Sequence, residues 1–494
     1  MRKEADLEVL KSLTLKLADT KFYITSKRII EFDNHVANTG FIINSDTSSI
    51  NQSDTIYLSS TCLPEGVIFK SQFQLDSFRV LYPNCTEIQG AVKIIYNIEN
   101  PITHFYGLQN VKKMGGLYLN YGIYKSLNGL ENLEEIAGAL SIHNADSLSN
   151  LHGLSSLNKI GSFLANDLNI NNLEGLESLQ TVERNFQIYD NDELVSLEGI
   201  SNLQQIGYDK QPQALNNLLI GRNQKLESIA SLENLSGHHF KGNIRITSNP
   251  LLESLNGLQI INLADGLVEI HNNESLLDLN GLENLTQVER LKISGNENLI
   301  SITGLESLET VEYGLEIHNN AALYDLEGIK NLKNVGFRSK QDALPYLKIS
   351  ANENLISLSP LRNIEFPNNF FNGILTLRDN PSILNFLGLE RLTGAYVLEV
   401  TNLGIPDFKD LNQLKRVPNL LSIKNNYSLL SLGRLENLTD LGDETERGFK
   451  TLEIEGNSRL KSLAALKNLR SEGCLLYTSP SPRDATLSRM PSSA

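Results

Sequence analysis

The chain of 494 residues has no tryptophan, three cysteines and three methionines, and 7% of it is aromatic. Absence of tryptophan weakens the case for a sugar-stacking platform, because such sites rely on broad flat rings. No uncharged apolar run reaches the ~20 residues of a membrane helix, so no membrane span is expected. The start, MRKEADLEVLKSLTLKLADT, opens basic, but Glu4, Asp6, Glu8 and Lys11 interrupt the apolar stretch a signal peptide needs. Lys and Arg number 43 against 58 Asp and Glu, a formal charge of −15. That balance argues against nucleic-acid binding through a basic groove and reads as a solvated acidic surface. GxSxG, HExxH, P-loop and paired CxxC signatures are also missing. The acidic turn YDNDEL lacks the D-x-D-x-D-G spacing of a calcium loop. No catalytic residue, cofactor or metal site is expected, and no enzymatic activity.

An odd cysteine count in an exported protein needs a reason. The tail CLLYTSPSPRDATLSRMPSSA, from Cys474 onward, shares neither spacing nor composition with what precedes it and resembles translated sequencing-adapter read-through. Residues 474–494 are therefore set aside as not belonging to the fold. On this reading the natural C-terminus, with any sorting or catalytic domain, lies beyond the chain, and Cys62 and Cys85 remain as an even pair.

What is present is a repeat. FQIYDNDEL, IRITSNPLL, VEIHNNESL, LKISGNENL, LEIHNNAAL, LKISANENL, LTLRDNPSI, LSIKNNYSL and LEIEGNSRL all fit L-x-I-x-x-N-x-x-L, followed by blocks such as SLxGLENLxxV. The period is close to that of leucine-rich repeats, with one short strand and one turn per coil. Alternation sends both apolar side chains of L-x-I to one face, so a coil buries its apolar edge only by stacking on its neighbours. About 14 coils are expected over residues 107–473. The asparagines at 191, 223, 249, 273, 296, 320, 352, 380, 426 and 457 should then form a column bonding turn backbone that would otherwise be buried unpaired. Gly122 and Ala145 occupy that column in the early coils, 163–173 reads as irregular, and the coil around Leu403 lacks its asparagine.

The recurring IHN places His143, His271 and His318 outward in one column, with Ser294 between the last two. Two rungs are ~10 Å and zinc needs ligands at about 2 Å, so these histidines read as repeat surface. Arg245, Glu269, Lys292, Glu316 and Lys348 occupy the outward middle position of five successive strands and alternate in sign, which predicts a cross-strand charge ladder.

Upstream, CLPEGVIFKSQFQLDSFRVLYPNC departs from the repeat. Ser71 with Gln74 reads as a capping box, Leu75, Phe78 and Tyr82 form an apolar face, and Pro83 ends the helix. A Cys62–Cys85 disulfide would close this cap over residues 62–106 and points to an oxidising compartment. Residues 1–61 remain unassigned.

CLPEG, the short helix, YPNCTEIQGAVKI and SLNGLENLEEI coils together resemble the receptor L domain family, and more closely the secreted, leucine-rich-repeat-like proteins of Bacteroidota, over residues 62–472. The resemblance implies a mainly β, right-handed β-solenoid, export to the cell surface or beyond, and a role in recognition or adhesion rather than catalysis. The partner expected at the cell exterior is a protein, with a glycan second. Four coils exceed the usual length, near 207–216, 336–346, 363–373 and 440–449, and the second and third of these insertions, on adjacent coils, carry the aromatic side chains. Insertions in a solenoid fall in loops, so Phe337, Tyr346, Phe366, Phe370 and Phe371 are the candidate partner-binding residues; the alternative is that they cover a widened core. The sheet face is the other candidate surface. The second functional reading is a passive solenoid spacer that presents a missing C-terminal domain, possibly an enzyme.

Overall fold

A computed structural model describes residues 60–207, 216–237, 239–338, 343–441, 451–469 and 475–477. Residues 1–59, most of the tail and the inserted stretches 208–215, 339–342 and 442–450 lie outside the described residues. The described residues are mainly β, with about 15 solenoid turns among them, in two compact units divided between Thr181 and Val182.

In the first unit, the parallel strands Glu87–Ile94, Lys113–Asn120, Glu135–Ala145 and Lys159–Leu168 stack in sequence order. The first of these rungs lies inside the stretch 62–106 expected as cap. Of residues 163–173, expected to be irregular, 163–168 are regular strand: Phe163 and Ala165 are buried in register with Leu140 and Ile142. The asparagine column is apolar here, with Ala145 aligned on Leu168. At Gly122 the missing side chain is replaced by a neighbour, because a Cβ there would lie 1.7 Å from the Tyr124 ring. Tyr124 is fully buried and its hydroxyl has no hydrogen-bond partner.

In the second unit, parallel strands run in register from Phe186–Tyr189 to Thr451–Glu455. Leu475–Tyr477, within the tail set aside, pairs in parallel with Thr451–Glu453. The asparagine column is a ladder, fully buried from Asn191 to Asn426. The Asn249 N–H donates to Asn273 Oδ1 at 3.1 Å, Asn273 to Asn296 at 2.9 Å and Asn296 to Asn320 at 3.1 Å. From Asn223 onward each side-chain amide also donates to a strand carbonyl of the coil before it, as Asn296 Nδ2 does to Ile270 at 3.1 Å. Leu403 has no amide to offer Asn380, its register partner. Its own N–H still donates to Asn426 Oδ1 at 2.9 Å, and Asn402 Nδ2 reaches Asp379 at 3.0 Å. The residue before each ladder position turns the chain in the left-handed region, from Asp190 (φ 59°) to Asn425 (φ 53°), and includes Ala351 (φ 53°).

The second block of each coil has its own chemistry. In Gly281–Asn284, a Cβ on the glycine would meet the Leu255 carbonyl at 2.1 Å, so only glycine lets the coils approach. Glu283 accepts the Gly281 N–H at 2.8 Å and Asn284 Nδ2 donates to the Gln259 carbonyl at 2.7 Å. Asn132 on Gln109 and Asn331 on Glu306, both at 2.8 Å, repeat the last bond. This is a second asparagine ladder, on the exposed side.

The cap helix is Gln72–Leu81, with Leu75 and Phe78 buried and Ser71 Oγ accepting the Gln74 N–H. Gln74 Oε1 accepts from the Lys70 N–H at 2.8 Å, one residue before the position a reciprocal capping box would use. Gln72 Oε1 takes the Thr103 N–H at 2.8 Å and ties the helix to the chain ahead of Tyr106–Leu108. The Cys62–Cys85 disulfide is formed, with Cα atoms 5.8 Å apart.

Candidate recognition surface

The second unit carries the candidate residues. Phe371 is core: it is 1% exposed, and a Cβ on either Gly336 or Gly373 would fall 2.8 Å from its ring. Both glycines are needed for the chain to close over it. Phe366, half-buried, packs against it at 5.1 Å between centroids. Phe337 follows Gly336 and is 52% exposed. Phe366 and Phe371 are thus in ring contact, and Phe337 adjoins them through Gly336.

The other two stand apart. Tyr346 opens the strand Tyr346–Ser350, so it belongs to the sheet face and not to a loop. Gly314 is its register partner, and a Cβ there would lie 2.3 Å from the Tyr346 ring. Tyr313 meets it edge-on at 5.7 Å and the Lys348 ammonium lies 4.8 Å from its centroid. Burial first, then the charge of Glu316, pushes the Tyr346 hydroxyl above the usual tyrosine range. Phe370 leads the strand Phe370–Asn380 beside Gly394, with the Arg416 guanidinium 5.8 Å from its ring. The expectation that all five rings stand on inserted loops is thereby corrected, since Tyr346, Phe370 and Phe371 are strand residues. A glycine or turn at each point lets the backbone tighten under a ring, which the sequence lengths alone do not reveal. Tyr313, 6% exposed beside Tyr346, was missed because it looks like an ordinary strand residue.

The charge ladder is in place. Arg245 pairs with Glu269 at 3.5 Å, Lys292 with the same carboxylate group at 2.9 Å and Lys348 with Glu316 at 3.8 Å, and Lys292 and Glu316 are register partners. His271, Ser294 and His318 follow in the adjacent column, with His271 Nδ1 2.9 Å from Ser294 Oγ. His143 lies in the first unit. Burial is the main cause holding His143 and His318 below the usual histidine pKa. Among the described residues no group of three His, Cys, Asp or Glu is arranged to hold a metal ion, and no helix is long and apolar enough to cross a membrane.

No curated protein matches the chain. One solved structure, titled "Crystal structure of TLR13-ssRNA13 complex", aligns at 14% identity over 80% of this chain and 78% of that one, with a TM-score of 0.16. The family comparison is local, and falls on the strands that follow the disulfide-closed cap: residues 84–169, within the first unit, match the receptor L domain family.

Proposed function

We propose that the protein is a recognition module at the cell exterior that binds a protein partner and catalyses no reaction. The observation that carries this reading is the aromatic edge of the second unit, where Phe337 stands 52% exposed directly after Gly336, which lies against the buried Phe371. An open ring next to backbone packed against the core suits an interface anchor, because little conformational freedom is lost on binding. Tyr346 and Phe370, partly open and each beside a cation, extend the set to the sheet face. Receptor L domains bind protein ligands and are extracellular, and the formed disulfide accords with an oxidising compartment. A protein is favoured over a glycan because no tryptophan is available to stack on a sugar.

The test is a binding screen of the purified chain against secreted and cell-surface proteins, repeated with Phe337→Ala combined with Phe366→Ala. A partner whose affinity falls about tenfold or more while the melting temperature holds supports the reading. A screen without any partner, or partners bound equally by the variant, overturns it.

A further inference from the structure

A different face of the second unit carries an exposed apolar stripe. Four residues after each ladder asparagine, on five successive coils, stand Leu277, Ile300, Tyr324, Ile356 and Leu384. Their exposures are 54, 54, 52, 40 and 59%. The column is held in register by backbone bonds: Ile300 N–H donates to the Leu277 carbonyl at 3.0 Å, Tyr324 to Ile300 at 3.1 Å and Ile356 to Tyr324 at 3.2 Å. The residue before each is a buried Leu or Ile and the second residue after each is buried too. Packing therefore does not require the outward position to be apolar, and the same slot holds Glu227 and Glu253 in the two preceding coils. Contiguous apolar surface rimmed by polar groups marks an interaction site.

The rim is of one sign. The five segments ESLLD, ENLIS, AALYD, ENLIS and PSILN, residues 274–278, 297–301, 321–325, 353–357 and 381–385, hold five carboxylates and no Lys or Arg. Glu274, Glu297 and Glu353 are exposed and form no ion pair among the described residues. Asp278 and Asp325 cap the backbone N–H groups of Asn280 and Glu327. A second copy would bring like charges together, so self-association is disfavoured and a cationic partner is fitted.

Spacing decides the partner's form. Neighbouring rungs are about 4.8 Å apart, so the five side chains span about 19 Å. Successive turns of an α-helix rise 5.4 Å, and about 13 residues cover that length with a cumulative mismatch of roughly 2 Å. Same-face residues of an extended strand recur every ~6.7 Å and lose register within two rungs. We propose that this stripe binds a cationic amphipathic helix of a partner protein, its apolar residues seated on Leu277 to Leu384 and its Lys or Arg flanks facing Glu274, Glu297 and Glu353.

The test uses the full chain and a fluorescein-labelled synthetic peptide of about 14 residues, with leucines at i, i+3, i+4 and i+7 spacing and lysines elsewhere. Fluorescence anisotropy should show saturable binding that weakens with added salt. Affinity should fall about tenfold or more in Ile300→Ser combined with Tyr324→Ser, exposed positions whose exchange should leave melting unchanged. The charge variant Glu274→Lys with Glu297→Lys should bind more weakly and lose the salt dependence. No binding of the amphipathic peptide, equal binding of a peptide with the same composition but scrambled leucines, or undiminished affinity in the Ile300/Tyr324 variant would each overturn the proposal. So would a dimer of the unmodified chain that the Ile300/Tyr324 variant dissolves. The Phe337/Phe366 variant should bind the peptide as the unmodified chain does, which separates this surface from the aromatic edge.

Discussion

Asn296 accepts the backbone N–H of Asn273 on its Oδ1 at 2.9 Å, and its Nδ2 donates to the Ile270 carbonyl at 3.1 Å. One buried side chain thus pairs two backbone groups of the coil before it. Asn296→Ala leaves both groups buried and unpaired, at about 1–3 kcal/mol each, and should destabilise the second unit by roughly 2–5 kcal/mol. Urea unfolding measures this. Asn284→Ala, which removes a donor on the exposed ladder, should cost about 1 kcal/mol or less; equal losses for the two variants would contradict the assignment.

Tyr124 is the reverse case. Its hydroxyl is buried without a partner, and burial pushes its pKa well above the usual tyrosine range. Tyr124→Phe keeps the ring that fills the space beside Gly122 and removes the desolvated group. Stability should rise by about 1 kcal/mol, read as a higher melting temperature; a lower one would mean that the hydroxyl is satisfied in solution.

Ala351 turns the chain at φ 53°, where the equivalent position holds Asn in other coils, among them Asn272, Asn319 and Asn425. An alanine is strained there and an asparagine is tolerated. Ala351→Asn should therefore stabilise the second unit by roughly 0.5–1 kcal/mol in chemical denaturation, and a destabilised variant would show that the turn is not the source of strain.

His318 gives the fold a pH dependence of known sign. Burial, reinforced by Lys292, His271 and Lys348 and opposed by Glu316, lowers its pKa below the usual value. The unfolded chain then binds the proton more readily, so its contribution to stability is present above about pH 6.5 and is lost as pH falls through the folded value. The melting temperature should fall between about pH 7 and pH 5, and His318→Asn should flatten that slope. An unchanged slope would place the dependence on other groups.

The column chemistry was legible in the sequence because it repeats. One asparagine per coil, one outward charge per strand and one His–Ser–His run each align when the coils are stacked, and Arg245 to Lys348 falls in register as the alternation requires. The cap was legible from its cysteines and from Ser71. What escaped notice depends on contacts between residues that are not periodic. Nothing in the order of residues 163–168 shows that Leu168 can stand where an asparagine does, or that the Tyr124 ring fills the place beside Gly122. Counting inserted residues found where chain is added near 336–346 and 363–373, but not which rings it covers: Phe371 lies under Gly336 and Gly373, whereas Phe337 stays open. The stripe from Leu277 to Leu384 is periodic and was open to view. Leucine in such a repeat reads as core, and that hides it.

The missing amide at Leu403 bears on how the second unit responds to force. Nearest-neighbour terms set the strength of a stacked array, and the junction between the coils of Asn380 and Leu403 keeps its strand pairing while lacking the two bonds that a ladder asparagine makes to the coil before it. Eight paired strand residues, more than at any other described junction of the second unit, offset that loss, so tension along the stack does not single this junction out.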